Sequence, residues 1–539
     1  MKPDQDLFRR CENSLSGGPG GCWAAAPAPA RTPAGTGSEW VVAGGLAISA
    51  DCGGNTRLTL LIYQREGSSV ANGNGLSSVE HIVVLMLENR SFDHMLGYLY
   101  TSSGNVSPTG QQYAGLTGSE SNPGSGGQQV TVFPIQPSTP NAYYMPGADP
   151  GEGYMATNSE LFGSTTAPAS STPPTMKGFI SDFAYTLSWQ SGDSGWTIIP
   201  GTTANDIMGC FSPEALPVLS ALAKGYAVCD QWFSSVPTET MPNRAFALAA
   251  TSQGHMDDKT RTFTSPSIFG LLGKSNVSWG IYGYDAEPLT KSTFTDIAEA
   301  TGGTIGEFSE FTAAAAAGSL PAFCFLEPSW PATGNSEHPP YDVALGEQLI
   351  HDVYEAVRGG ANWAQTLLVI TYDEHGGCFD HVVPPSGAVP PDNSAGEFGF
   401  DFTRFGVRVP TVLISPLIQA GTVYRAQAGT LDHTSTLKTV EQRWNLPALT
   451  ARDAAAPGFG DVLTLTAPRT DDVLASVTVP PPSAQNPSAG EPSHLQEVQA
   501  DLISRRFPAG QHDDANVLAQ ENTNQAYAAY IHHHTELHP

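Results

Sequence analysis

The run His81-Ile-Val-Val-Leu-Met-Leu-Glu88-Asn89 ends an apolar stretch on a carboxylate and a carboxamide, and a second run, Thr366-Leu-Leu-Val-Ile-Thr-Tyr372, breaks into Asp373-Glu374-His375-Gly376-Gly377. Apolar runs of this length read as strands buried on both faces of a parallel sheet, and ligands gather at the carboxyl ends of such strands. Glu88, Asn89, Asp373 and Glu374 are therefore expected to meet at one sheet edge as hard oxygen donors, which suits a divalent cation. Without a cation they would repel one another. The plainer account of Glu88 is an acid in a helix first turn, because Ser91-Phe-Asp-His-Met-Leu-Gly-Tyr98 has the form of a helix start.

A third element runs from Ala227 to Val236 as an expected strand and, after Pro237-Thr238-Glu239, continues from Thr240 to Ala250 as an Ala/Leu helix, with Thr240 at the cap and Pro242 in the first turn. A helix start of this kind attracts phosphate, Arg244 adds a two-pronged contact, and Asn243 is a further phosphate contact. A hydroxyl there becomes a nucleophile once its proton is removed, which metal coordination achieves. The competing account leaves Thr240 as an N-cap alone. Leaving-group protonation calls for imidazole. Of 14 histidines, His338 and His375 stand next to motifs. His338 also fits a solvated turn before Pro339-Pro340, His375 a strand-end cap, and Asp432-His433-Thr434-Ser435 either a carboxylate-oriented histidine or a helix cap. His81, His94 and His381 read as structural.

Glu88-Asn89-Arg90-Ser91-Phe92-Asp93-His94, Thr240-Met241-Pro242-Asn243-Arg244, Glu327-Pro328 with His338-Pro339-Pro340, Asp373-Glu374-His375-Gly376-Gly377 and Asp432-His433-Thr434-Ser435 occur in this order. In that order the chain resembles the phosphoesterase family of bacterial and plant phospholipases C and bacterial acid phosphatases, from about Val79 to about Arg452. The resemblance implies an alkaline-phosphatase-like α/β fold, one divalent metal held by Glu88, Asn89, Asp373 and Glu374, and a phosphorylated nucleophile at the position of Thr240. Two departures bear on substrate. Thr238-Glu239 replaces the Gly-Pro that many relatives carry before the nucleophile, and Glu152 follows Asp149-Pro150-Gly151 where relatives often have histidine.

The 539 residues, 40% of them hydrophobic, can bury a large core, and motifs spread from 88 to 435 must converge. Helical stretches at 213–223 and 342–357, the second after the apolar strand Phe323–Leu326, alternate with strands, so the expected fold is α/β with a mostly parallel sheet flanked by helices. Residues 1–76 form a low-complexity extension with a small hairpin expected within 39–63. Residues 77–477 form the catalytic domain, with a loop-rich insertion at 101–175 over the strand ends. Residues 478–539 form a Pro-rich linker, a helix at 493–506 and a polar tail ending in His532-His533-His534. With 24 Lys plus Arg against 52 Asp plus Glu, a net of −28, the chain should repel nucleic acid and anionic membranes. No run is long enough for a transmembrane span and no clear signal peptide stands at the start, so a soluble chain, extracytoplasmic or secreted, is expected. Seven widely spaced cysteines carry no CxxC pattern. Oligomeric state is not legible.

The expected substrate is a phosphoester, either a phospholipid head-group ester cleaved in phospholipase C fashion or, alternatively, a small phosphomonoester as for an acid phosphatase. A sulfatase-like or phosphonate hydrolase and a catalytically silent metal-binding protein are the other readings, since fold does not fix substrate. A binder needs no nucleophile, which favours catalysis. A choline head group would call for an aromatic cage, for which Tyr143, Tyr144, Trp189 and Trp196 are available in the insertion region.

Overall fold

A computed structural model describes residues 74–168, 172–192, 196–284, 287–484, 490, 492–506 and 523–537. The expected hairpin, the residues before it and Cys11, Cys22 and Cys52 lie outside the described residues. Contacts divide the chain into Met1–Asn72 and Gly73–Pro539, and the described residues belong to the second unit.

Eight strands build the main sheet: β1 (His81–Leu87), β2 (Ala227–Val228), β3 (Trp279–Gly283), β4 (Gly303–Glu307), β5 (Phe323–Glu327), β6 (Thr366–Tyr372), β7 (Thr411–Ile414) and β8 (Thr422–Val423), in the spatial order β8-β2-β7-β6-β1-β5-β3-β4. Only β7 runs against its neighbours, while the other pairings are parallel. Every residue of the central β1 and β6 is buried, which is why both are continuous apolar runs. Leu87 pairs with Tyr372, so Glu88 and Asp373 leave the sheet side by side.

The helices that matter for the site are α1 (Phe92–Leu96), α2 (Tyr154–Phe162), α3 (Phe179–Gln190), α4 (Pro217–Gly225), α5 (Thr240–Ala249), α6 (Val343–Gly359), α7 (Thr434–Trp444), α8 (His494–Ser504) and α9 (Asn524–Leu537). Ser91 caps α1 by accepting the His94 N–H at 3.1 Å. Helix α6 buries Val343, Ile350, Val353, Tyr354 and Val357 along one face. It also carries Glu347 into the start of α4, where the carboxylate accepts the Val218 and Leu219 N–H groups at 2.7 and 2.8 Å. The architecture is the expected mostly parallel α/β sheet with flanking helices.

Four local expectations differ. The 227–236 run is not one strand: it leaves the sheet after Val228, and Trp232–Phe233 pairs instead with Leu431–Asp432. Between them, buried Asp230 takes Arg425 in a two-pronged contact at 2.7 and 2.6 Å and draws the chain away. Helix α4 starts at Pro217 rather than Pro213, since proline fits the first turn. The insertion is packed, with Leu116, Val132 and Leu161 joining Phe179, Phe183 and Phe379 in a second core. The histidine run lies in α9, which packs on α8 through Ala500, Ile503, Tyr530 and Ile531. Cys210, Cys229, Cys324 and Cys378 are buried free thiols. Among the described residues, no helix is long and apolar enough to cross a membrane.

Candidate active site

The ends of β1 and β6 and the start of α5 converge. Asn89 adopts φ 55°, a left-handed turn that asparagine tolerates. This turn lets its N–H donate to Asp373 Oδ1 at 3.0 Å, an oxygen that also accepts the Glu374 N–H at 2.7 Å. Thr240 Oγ1 donates to Asn89 Oδ1 at 3.1 Å. Gly376, at φ 59°, lies against the Asn89 carbonyl, where a Cβ would collide. Glu88, Asn89, Thr240, Asp373 and Glu374 are all buried. Burial, reinforced by Asp373, pushes the Glu88 carboxyl well above its ordinary range, and burial lifts Glu374 to about 7.

These donors fit a divalent ion on one further observation: Glu374 Oε1 is buried with no hydrogen-bond partner, although its Oε2 accepts from Gly376 N–H at 2.7 Å and meets His375 Nδ1 at 3.1 Å. Leaving such an oxygen unpaired is costly unless something positive faces it. The ligand oxygens of Glu88, Asp373 and Glu374 do not all lie within 4.8 Å of one another. Among the described residues, the acid and histidine groups whose ligand atoms lie within 4.8 Å of one another are Asp93-Asp380-His381 and Asp149-Glu152-His338. The first is already neutralised by buried Arg408, which reaches Asp93 at 2.9 Å and Asp380 at 3.0 Å. The second lines a cavity that also takes in Glu239 and Asp258.

Arg244 and Asn243, expected as phosphate contacts, are held by protein partners. Arg244 Nε donates to Asp373 Oδ2 at 2.9 Å, Nη2 donates to the Met86 and Leu87 carbonyls at 3.3 and 3.1 Å, and the guanidinium lies 4.7 Å over the Trp330 ring. It ties the end of β1 to Asp373, and only Nη1 is left without a partner. Asn243 Oδ1 accepts the Val236 N–H, while its Nδ2 donates to the carbonyls of Val236, Thr238 and Glu239. That carboxamide fixes the turn into α5. Glu239, not Thr240, is the N-cap, and the Met241 N–H is taken by Asp258 Oδ1 at 2.7 Å.

The histidines separate by environment. His338 lines the cavity, with Nδ1 2.6 Å from the Pro339 carbonyl and Nε2 3.9 Å from Glu152. Its Nδ1 must carry the proton, and burial pulls its pKa down to about 3, so Nε2 is an acceptor. His375 is buried between Glu374 and Glu160 (2.7 Å); burial opposes its charge, but the two carboxylates outweigh that and push it up to about 10. His433 reaches the Asp373 carbonyl at 2.5 Å, and Asp432 pairs with Arg452 at 2.8 Å. His81 and His381 hold Pro321 and Asp93 respectively, and His94 contacts Arg90.

Sequence reasoning missed Asp258, which lies outside any strand or helix, and Glu160, a charged residue on the buried face of α2. It noted Glu152 only as a departure. Glu152 Oε2 in fact accepts from the Asn89 Nδ2, on the same carboxamide that takes the Thr240 hydroxyl. The cavity above has a volume of about 710 Å3 and is lined by Glu152, Glu239, Asp258 and His338, with His494 and Glu497 of α8 closing one side.

With this geometry in hand, known proteins were compared. A model of the Phosphoesterase family matches residues 79–447. This chain belongs to that family. It is thereby a phosphoric ester hydrolase, and its curated relatives are similar over most of their length. Non-specific phospholipase C6 of Arabidopsis thaliana is 37% identical over 458 residues, covering 79% of this chain and 80% of that protein. Phospholipase C A of Mycobacterium tuberculosis is 26% identical over 429 residues, covering 69% and 74%. Among solved structures, a protein in the alkaline phosphatase superfamily from Vibrio parahaemolyticus aligns at 14% identity with a TM-score of 0.29, covering 45% of this chain and 64% of that one.

Proposed function

We propose that this phosphoesterase is a metal-dependent hydrolase of the phospholipase C type, with Thr240 as nucleophile. The observation that carries the reading is the Thr240 Oγ1 to Asn89 Oδ1 hydrogen bond at the point where two central strands deliver Glu88, Asp373 and Glu374. Glu88, Asn89, Asp373 and Glu374 would hold the ion, and a bound divalent cation supplies positive charge that stabilises both the ionised hydroxyl and the phosphoryl oxygens. Asn89 orients the hydroxyl, and the helix cap fixes its backbone. Attack by Oγ1 on phosphorus forms the phosphoryl-Thr240 bond and breaks the bond to the diacylglycerol-type oxygen, which takes up the proton that the hydroxyl has lost, by way of solvent in the cavity, and leaves as the alcohol. Water then releases the head-group phosphate and restores the hydroxyl. His338, with Nδ1 held by the Pro339 carbonyl and Nε2 on the cavity side, positions that water by accepting a hydrogen bond from it. Arg244 acts as a positioning residue for Asp373. The names of the relatives support diester cleavage over the acid phosphatase, sulfatase-like and silent-binder readings.

Turnover of p-nitrophenyl phosphorylcholine, p-nitrophenyl phosphate and p-nitrophenyl sulfate with and without chelator tests the reading. The diester should be preferred, the chelator should abolish turnover, and Thr240→Ala should lower kcat by about 1000-fold or more while the fold persists. A sulfate preference, chelator-independent turnover or an active Thr240→Ala protein refutes it.

A further inference from the structure

Seven large hydrophobic side chains stand exposed among the described residues, and five of them surround one opening: Met155 (52%), Tyr185 (69%), Trp189 (41%), Trp196 (40%) and Phe398 (55%). Scattered exposed hydrophobics need no explanation, but a contiguous set marks an interaction surface. These five come from α2, α3, the loop after α3 and a distant turn, so chain neighbourhood does not account for their meeting. Trp189 and Trp196 pack edge to face at 5.0 Å, and Phe398 stacks on Tyr154 at 5.7 Å. Phe398 does so at φ 55°, a conformation a bulky side chain adopts only at a cost.

The opening leads inward. Its cavity, about 700 Å3, shares Asp149, Glu152, Glu239, Asp257 and Trp196 with the cavity that His338 lines. Its lining adds Asp182 and holds neither lysine nor arginine. The geometry points to this aromatic mouth as a docking surface for a zwitterionic phospholipid surface, an inference that rests on the phospholipase reading above. Tryptophan and tyrosine rings settle at the head-group level of a bilayer, apolar body inward and polar edge in water. The net charge of −28 opposes an anionic surface, and the carboxyl groups of the lining, with no lysine or arginine beside them, offer hydrogen-bond partners to ammonium head groups. A small soluble phosphomonoester would require no such rim.

The test uses the full chain. Thr240→Ala protein, which holds lipid without cleaving it, is sedimented with phosphatidylcholine vesicles and with phosphatidylglycerol vesicles. It should bind the first and discriminate against the second. Adding Met155→Ser, Tyr185→Ser and Phe398→Ser should weaken binding by about 100-fold. In the otherwise native chain the same three changes should reduce cleavage of vesicle lipid while leaving p-nitrophenyl phosphorylcholine turnover as in the native protein. Tyr185→Ser alone, at the most exposed position, should move binding the same way if the triple variant fails to fold. Unchanged vesicle binding in these variants, or a preference for the anionic vesicles, overturns the proposal. Self-association of the native chain that the triple variant loses also overturns it, by assigning the face to a second copy. If no ester is turned over but vesicle binding follows the rim, the phospholipase reading fails and the docking surface stands.

Discussion

Replacing Arg244 separates two roles that its place in the motif leaves open. The guanidinium makes a charge-assisted bond to Asp373 at 2.9 Å and two bonds to the Met86 and Leu87 carbonyls, all buried. Arg244→Gln removes a charged bond worth about 1.5–3 kcal/mol and two ordinary ones of about 0.5–1.5 kcal/mol each, and it strands the Asp373 charge in the interior. Because part of the desolvation is recovered when the chain relaxes, the expected loss of unfolding free energy is about 3–5 kcal/mol. Arg244→Lys keeps a cation near Asp373 but loses the fork, and should fall about halfway between. Urea unfolding followed by tryptophan fluorescence, on chelator-treated protein, reads both. An Arg244→Gln protein within about 1 kcal/mol of the native chain, with a raised KM and intact kcat, would refute the positioning role and return Arg244 to the phosphate.

Glu347 gives a pH-dependent prediction. Burial raises it to about 7 despite its two N–H bonds, so between about 4.3 and 7 the folded chain keeps a proton that the unfolded chain has released. Stability therefore falls as pH rises through that window, by about 4 kcal/mol in all, and levels off above it. Glu347→Gln should lack this slope in urea unfolding at pH 5 and pH 7.5, and parallel profiles would contradict it. Gly376→Ala should destabilise by about 1–3 kcal/mol through its positive φ and the Asn89 carbonyl, with a larger loss of turnover, as measured by thermal melting alongside activity. A divalent cation at about 100 times its Kd should add about 2.7 kcal/mol of stability to the native chain, and Glu374→Gln should reduce that gain in the same unfolding assay.

The strands that carry Glu88 and Asp373 were legible because both faces of β1 and β6 are buried, so apolar character runs unbroken to the residue where each strand stops. Helix α5 was legible from its alanines and its first-turn proline. The strand at 227–236 was misread because Trp232 and Phe233 are as apolar as sheet residues, while one buried aspartate and a distant arginine decide where the chain departs. Arg244 and Asn243 sit close to Thr240 in sequence, and their type suits phosphate. Only the direction of each side chain reveals that one serves Asp373 and the other the preceding turn. Glu152 and Asp258 come from irregular segments, where spacing carries no directional information, and Glu160 is a carboxylate on a buried helix face, against its usual preference.

Helix α8 brings His494 and Glu497 to the side of a chamber whose other lining residues, Pro492 apart, lie between Asp149 and Tyr341. Gln499 anchors that helix to the Glu287 carbonyl, far from any motif. A polypeptide shortened before Pro492 would therefore keep Thr240, Asp373 and the central sheet, yet lack one wall of that chamber. During synthesis the same holds: that wall emerges only after the residues it faces have been made.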